Sequence, residues 1–151
     1  MSEFQVPHRE VRARLHRRGS EPVEGHFFVP ESADGGAVPT LCSRLNDPGE
    51  RFLAFSVGGE STLVARAWVL RVEILDTEDA NRECADAASD PISVSVVLSD
   101  GQTVAGTTRY VSPPGQGRAI DFLNRERGFV PIETQDGVSL VHLDHVVAWR
   151  D

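Results

Sequence analysis

Two short stretches, one in each half of the chain, set apolar residues against others at a spacing of two. In "VRARLH" the residues Val11, Ala13 and Leu15 alternate with Arg12, Arg14 and His16. In "VSVVLS" the matching positions are Val94, Val96 and Leu98. A period of two belongs to a strand with one buried face. "REVRARLHRRG" can also be drawn as a helix with Val11 and Leu15 on one side, but its β-branched counterpart "ISVSVVLSDG" favours strand for both. "SDGQT" between "VSVVL" and "VAGTTRYV" is a hairpin signal, with Gly101 free to take positive φ. Later turns are predicted at Gly58-Gly59 and at Asp136-Gly137. Pro131 has no N–H to donate, so "FVPIE" is expected to be an edge strand or to be bulged. Helix is confined to one turn near "PTLCSRLN", its counterpart "GRAIDFLN", and part of an acidic stretch between the halves.

These elements recur in order. Laying Val11–Glu73 over Val94–Arg150 matches Val23-Glu24-Gly25 with Val104-Ala105-Gly106, and Leu45-Asn46 with Leu123-Asn124. Beyond Phe52 and Phe129 no gap is needed, and insertions fall only in turns, where repeats tolerate them. Each copy runs to about 60 residues, near the lower limit for a self-sufficient core. An all-β fold follows: two tandem small barrels over residues 1–75 and 92–151, packed as a pseudo-dimer, with an acidic linker over 76–91. Trp68, Phe27, Phe52, Phe55, Phe122, Phe129 and Trp149 are the expected large core and interface residues.

Composition narrows the chemistry. The net charge of −8 argues against a general nucleic-acid binder, and all 15 basic residues are Arg. Without Lys there is no Schiff base, no Lys nucleophile and no Walker-type phosphate loop. Cys42 and Cys84 have no metal-ligand spacing and read as free thiols, so a cytoplasmic location is expected. No apolar run approaches the roughly 18 residues of a membrane span. No nucleophile elbow or complete Gly-x-Gly-x-x-Gly occurs, and "GQGRAI" reads as a loop. Neither an enzyme nor a cofactor is expected.

The order strand, "DG", "V-x-G", loop, "LN", Phe, turn, "LV", "HVV" resembles the Sm-like, Src-homology-3-like class of small barrels, and within it bacterial Sm-like families of no assigned function. The resemblance implies a barrel in each half and, in the Sm class proper, uridine recognition by an Asp and an Asn after the third strand and by an Arg-Gly pair before the last. Asp121 and Asn124 look similar but stand one residue closer together. The first copy has Ser43 and Asn46, and Leu143-Asp144 occupies the Arg-Gly position.

The candidate site residues are therefore few. Asn46, Asp121 and Asn124 are loop groups for a ligand, or residues that end helical turns. Arg12 and Arg14 share the outward face of the first strand with His16, and Arg17 and Arg18 follow in its turn. Together they form a patch for an acidic protein partner, or a solvated strand exterior. In "HLDH", His142 and His145 are expected on opposite strand faces, which disfavours a metal site. The expectation is a non-catalytic module that binds a protein partner or itself. Sm-like RNA binding and a small-ligand pocket between the barrels, near Asn46 and Asn124, are the alternatives.

Overall fold

The computed structural model describes residues 8–31, 39–84, 90–110 and 118–151. Residues 85–89 of the acidic stretch, and "GQGRAI" as far as Gly117, lie outside the described residues. The first half contains β1 (His8–Arg17), β2 (Val23–Pro30), α1 (Leu41–Leu45), β3 (Phe52–Val57), β4 (Glu60–Ala65), a 3-10 turn (Arg66–Trp68) and β5 (Val69–Ile74). Helix α2 (Thr77–Glu83) follows. The second half contains β6 (Ile92–Leu98), β7 (Thr103–Thr108), α3 (Ala119–Arg125), β8 (Phe129–Thr134), β9 (Gly137–His142), a 3-10 turn (Leu143–His145) and β10 (Val146–Arg150). The three predicted helical pieces are α1, α3 and α2. Among the described residues no helix is long and apolar enough to cross a membrane.

The ten strands of the described residues pair antiparallel in one sheet of order β10-β6-β7-β8-β9-β5-β1-β2-β3-β4. The order within each half is therefore the same: fifth, first, second, third, fourth. The halves meet where β5 pairs with β9, through Arg71–Val141, Val72–Leu140, Glu73–Ser139 and Ile74–Val138. The sequence explains why these two strands lie in the middle. "VLRVEI" and "GVSLVH" place apolar residues on both faces, as a strand covered on both sides must. Val69, Val72 and Ile74 join Val138 and Leu140 in an apolar cluster that also holds Leu15, Phe27, Leu45 and Phe55. Leu70 and Val141 face the other way, into a second cluster with Val94, Val96, Leu98 and Ile132.

The pairing shifts one detail of the sequence match. Leu15 faces Val23 and Val96 faces Val104, so the spacing of these facing pairs is the same in the two first hairpins. Ala13, not Val11, is then the counterpart of Val94. The slip is two residues, which leaves every side chain on its original face, so the burial pattern could not reveal it. A similar slip of one residue affects the helices: Leu45 is buried in α1, whereas Leu123 is only half-buried and Phe122 takes the buried place in α3.

Aromatic positions divide. Phe27 and Phe55 are buried against each other with ring centroids 4.8 Å apart, and Phe122 and Phe129 are buried. Trp149 is half-buried. Phe52 and Trp68, expected in the core or interface, are exposed. Pro131 is not on an edge strand, because β8 lies between β7 and β9. The ladder from β8 to β7 has only the Thr107–Glu133 pair, and the Thr108 hydroxyl donates to the Pro131 carbonyl at 2.9 Å. A proline inside the sheet is tolerated where its neighbour asks little of it.

Gly25 and Gly106 sit where β2 and β7 pass directly beneath the next strand. A Cβ on Gly25 would strike the Ser56 carbonyl, and one on Gly106 would strike the Glu133 carbonyl. Backbone carbonyls of a paired strand cannot step aside as a side chain can. Gly106→Ala is expected to destabilise the protein by about 1–3 kcal/mol, the usual cost of overpacking. Urea denaturation measures this; an unchanged midpoint would mean that the two strands leave room for a methyl group.

Candidate functional site

The β5–β9 joint leaves a cleft of about 550 Å³ beside it, lined from both halves. The first half contributes Asn46 at the end of α1, Arg51 and Phe52 at the start of β3, and the 3-10 turn with Trp68. The second half contributes Arg127, Gly128, His142 and Asp144.

Its floor is built from backbone-directed polar groups. The Asn46 side chain accepts from the Phe129 N–H through Oδ1 at 2.6 Å and donates to the Phe129 carbonyl through Nδ2 at 3.0 Å. It therefore acts like one residue of a neighbouring strand and clips α1 to β8. Gly128 lies against this amide with φ +87°, and any Cβ there would strike the Asn46 oxygen. On the other side, the Arg66 guanidinium donates to the Leu45 carbonyl at 3.3 Å and to the Asp47 carbonyl, which pins the loop after α1.

The two histidines of "HLDH" do not point to opposite faces. The strand ends at His142, and the 3-10 turn swings His145 round until the two rings lie 5.2 Å apart, edge to face. His142 Nδ1 donates to the Val69 carbonyl at 2.9 Å and its ring stacks on Phe129 at 4.4 Å. Burial pushes this imidazole below its ordinary pKa, so it stays neutral at pH 7 with Nε2 free to accept. Asp144 Oδ2 lies 3.4 Å from that nitrogen. His145 donates from Nε2 to the Ala67 carbonyl at 2.7 Å, while the Ser99 hydroxyl lies 3.3 Å from Nδ1. His145 thus fastens the second half to the 3-10 turn of the first, and His142 fastens it to the start of β5. Among the described residues no three metal-ligating side chains converge.

What faces the cleft opening is different in kind. Phe52 and Trp68 are exposed, and so are the side chains of Arg51 and Arg127. Two aromatic surfaces beside two guanidinium groups suit a planar or anionic ligand more than a purely apolar one. Sequence reasoning placed both aromatics in the packing because exposure at a joint has no signature in a periodic pattern.

The other candidate residues fall elsewhere. Asp121 and Asn124 are on α3 and do not line the cleft. Arg118 donates to Asp121 from Nε at 3.1 Å and from Nη2 at 3.3 Å, which holds that carboxyl below its usual range. Asn124 is exposed. Ser43 closes a capping box with Thr40 at the start of α1. Cys42 and Cys84 are free thiols, and burial pushes each up to about 12, so neither is a ready nucleophile at neutral pH.

The basic first strand is largely answered from within. Arg14 reaches Glu24 at 2.6 Å and Glu73 at 2.8 Å. Arg71 holds the other oxygen of Glu73 at 2.7 Å. His16, expected on the outward face, is buried, and its Nε2 lies 3.4 Å from Glu73, an ion-pair separation rather than an aligned hydrogen bond. Arg9 pairs with Asp79 of α2 at 2.9 Å, so the acidic stretch neutralises this strand in part. Arg12 and Arg18 are exposed and Arg17 is half-buried.

Glu73 is the hub of this network. The His16 imidazole, then Arg71 and Arg14, outweigh its burial and lower its carboxyl from an ordinary 4.5 to about 2. A carboxyl depressed on folding stabilises the protein fully above its unfolded value, and that stability is lost as pH falls through the folded value. The unfolding free energy is therefore expected to drop between about pH 4.5 and pH 2. Glu73→Gln should lower stability at pH 7 and flatten this part of the curve. Denaturant titrations at several pH values provide the check, and an unaltered slope in the variant would contradict it.

No protein-family model, no curated protein and no solved structure matches this chain.

Proposed function

We propose that this is a non-catalytic interaction module that takes a protein partner, or a further copy of itself, along the open ends of its sheet. One observation carries the reading. Among the described residues strand β4 ends the sheet, its first four residues are exposed, and Leu63 among them presents a bare apolar side chain. An end strand with unpaired N–H and C=O groups is a template for another strand.

A two-unit architecture of tandem Sm-like barrels fits this role. It is supported by the repeated order of elements, and by the first apolar cluster drawing on all five strands of the first half, as curling of that segment would require. The non-catalytic part of the reading is supported by the cleft, where the Asn46 amide and the Nδ1 of His142 are already committed to backbone groups across the joint.

Leu63→Arg places a charge on this edge without touching a core, so the variant should fold normally and lose captured partners. Affinity capture from native extract, run beside an Arg12→Glu/Arg14→Glu variant, tests which surface acts. Loss with Leu63→Arg alone supports the edge. Loss with the arginine variant alone overturns the edge in favour of the basic strand.

A second reading, binding of single-stranded nucleic acid, is favoured by Phe52 and Trp68 standing open beside Arg51 and Arg127. Bases stack on such rings at about 1–3 kcal/mol each, so Trp68→Ala is expected to weaken binding by at least about 5-fold. Fluorescence titration with short oligonucleotides measures this. Absence of binding at low salt, where phosphate contacts are strongest, overturns it.

A further inference from the structure

We infer that the cleft side of the molecule docks on an anionic bilayer surface, with Phe52 and Trp68 entering the headgroup layer and Arg18, Arg51 and Arg127 meeting lipid phosphates. This goes beyond the edge-binding reading, which concerns the backbone edge of β4 and not the face beside the cleft.

Charge is the first observation. The chain has a net charge of −8, yet the side chains that line the cleft carry three guanidinium groups, on Arg51, Arg66 and Arg127, against the one carboxylate of Asp144. Arg18 adds a fourth cation beside them, since its backbone N–H donates to the Trp68 carbonyl at 2.9 Å. The carboxylates nearest in sequence are turned elsewhere. Glu50 pairs with Arg44, Glu126 with Arg125, and Asp144 lies by His142. Among the described residues none of the four arginines has an ion pair, and Arg18, Arg51 and Arg127 are exposed. Unanswered positive charge gathered on one side of an acidic chain attracts a polyanion and orients it there.

The apolar positions are the second observation. Phe52 is 55% exposed and Trp68 is 56% exposed. Phe52 pairs with Ala65 across β3 and β4, and Leu63, 71% exposed, stands diagonal to it on the same face. Ala67 and Pro48, both exposed, continue the strip. An open apolar strip rimmed by polar groups marks an interaction face.

The polar floor decides between occupants. A pocket that reads one small molecule needs polar groups converging on it. Here the Asn46 amide and His142 Nδ1 are spent on backbone groups across the joint. What faces outward is rings, methyl groups and positive charge. A protein face of this composition suits the headgroup layer, where indole rings sit among headgroups and arginine stems lie along apolar surface with their charge on phosphate. A nucleic acid uses the rings and cations but leaves Leu63 and Pro48 in water. A bilayer covers them.

The test uses the full chain and unilamellar vesicles of phosphatidylcholine, with and without phosphatidylserine, in co-sedimentation at low and high salt. Binding is expected with phosphatidylserine, weak without it and weaker at high salt. Tryptophan emission should move to the blue on binding, and Trp68→Ala should remove that shift. The same variant should weaken binding about 10-fold through the apolar area withdrawn. Arg51→Gln and Arg127→Gln should each weaken it about 5-fold, while Arg150→Gln, at the far end of β10, leaves it unchanged. All four positions are exposed, and circular dichroism checks folding. No binding to phosphatidylserine vesicles at low salt overturns the inference. Binding that survives Trp68→Ala and loses as much to Arg150→Gln as to Arg51→Gln overturns it too, because the attraction is then diffuse. A short oligonucleotide that binds through Trp68 while the vesicles do not overturns it in favour of nucleic acid.

Discussion

The pairing of β5 with β9 is the contact on which the rest of the molecule depends. These strands carry apolar side chains into both apolar clusters at once. Neither half has a complete core by itself. Without Val138, Leu140 and Phe129 the first cluster loses one wall, and without Leu70 the second loses what the first half gives it. For units of about 60 residues, where burial is marginal, sharing a wall is a physical route to stability.

Polar groups reinforce the same line. Arg71 on β5 donates to Ser139 on β9 and to Gln102 in the turn between β6 and β7, and it pairs with Glu73 beside it. Asn46, His142 and His145 each spend a side-chain hydrogen bond on the backbone of the opposite half. Such bonds hold orientation more than they add affinity, because each replaces a bond to water. The cleft is a by-product of this geometry: a gap left where the two halves meet at one strand pair, edged by Phe52, Trp68, Arg51 and Arg127, which the joint does not use.

Much of this was legible in the chain. Alternation in "VRARLH" and "VSVVLS" identified strands whose alternating apolar positions, Val11, Ala13, Leu15, Val94, Val96 and Leu98, are all buried, and the three short helices lie where the pattern placed them. Asn46 was singled out from its place after a Leu, and it does line the cleft, yet its amide is consumed in a structural clip. Arg14 was read as a partner contact, but the carboxylates that answer it come from β2 and β5, and no pattern along β1 announces them. His16 shows the same limit: the alternation puts it outside, but the pairing of β1 to β5 covers it.

The sequence by itself determined the strand periods, the turns, the absence of amine chemistry and the order in which elements follow one another. These depend on local backbone preference and on which side chains repel water, and both are properties of short stretches. Tertiary structure alone decided which strand meets which across 70 residues, that Phe52 and Trp68 remain in solvent while Phe129 does not, and that two histidines converge at a 3-10 turn. Those outcomes depend on what lies opposite each residue in space, and a chain read in one dimension carries no record of its opposite neighbour.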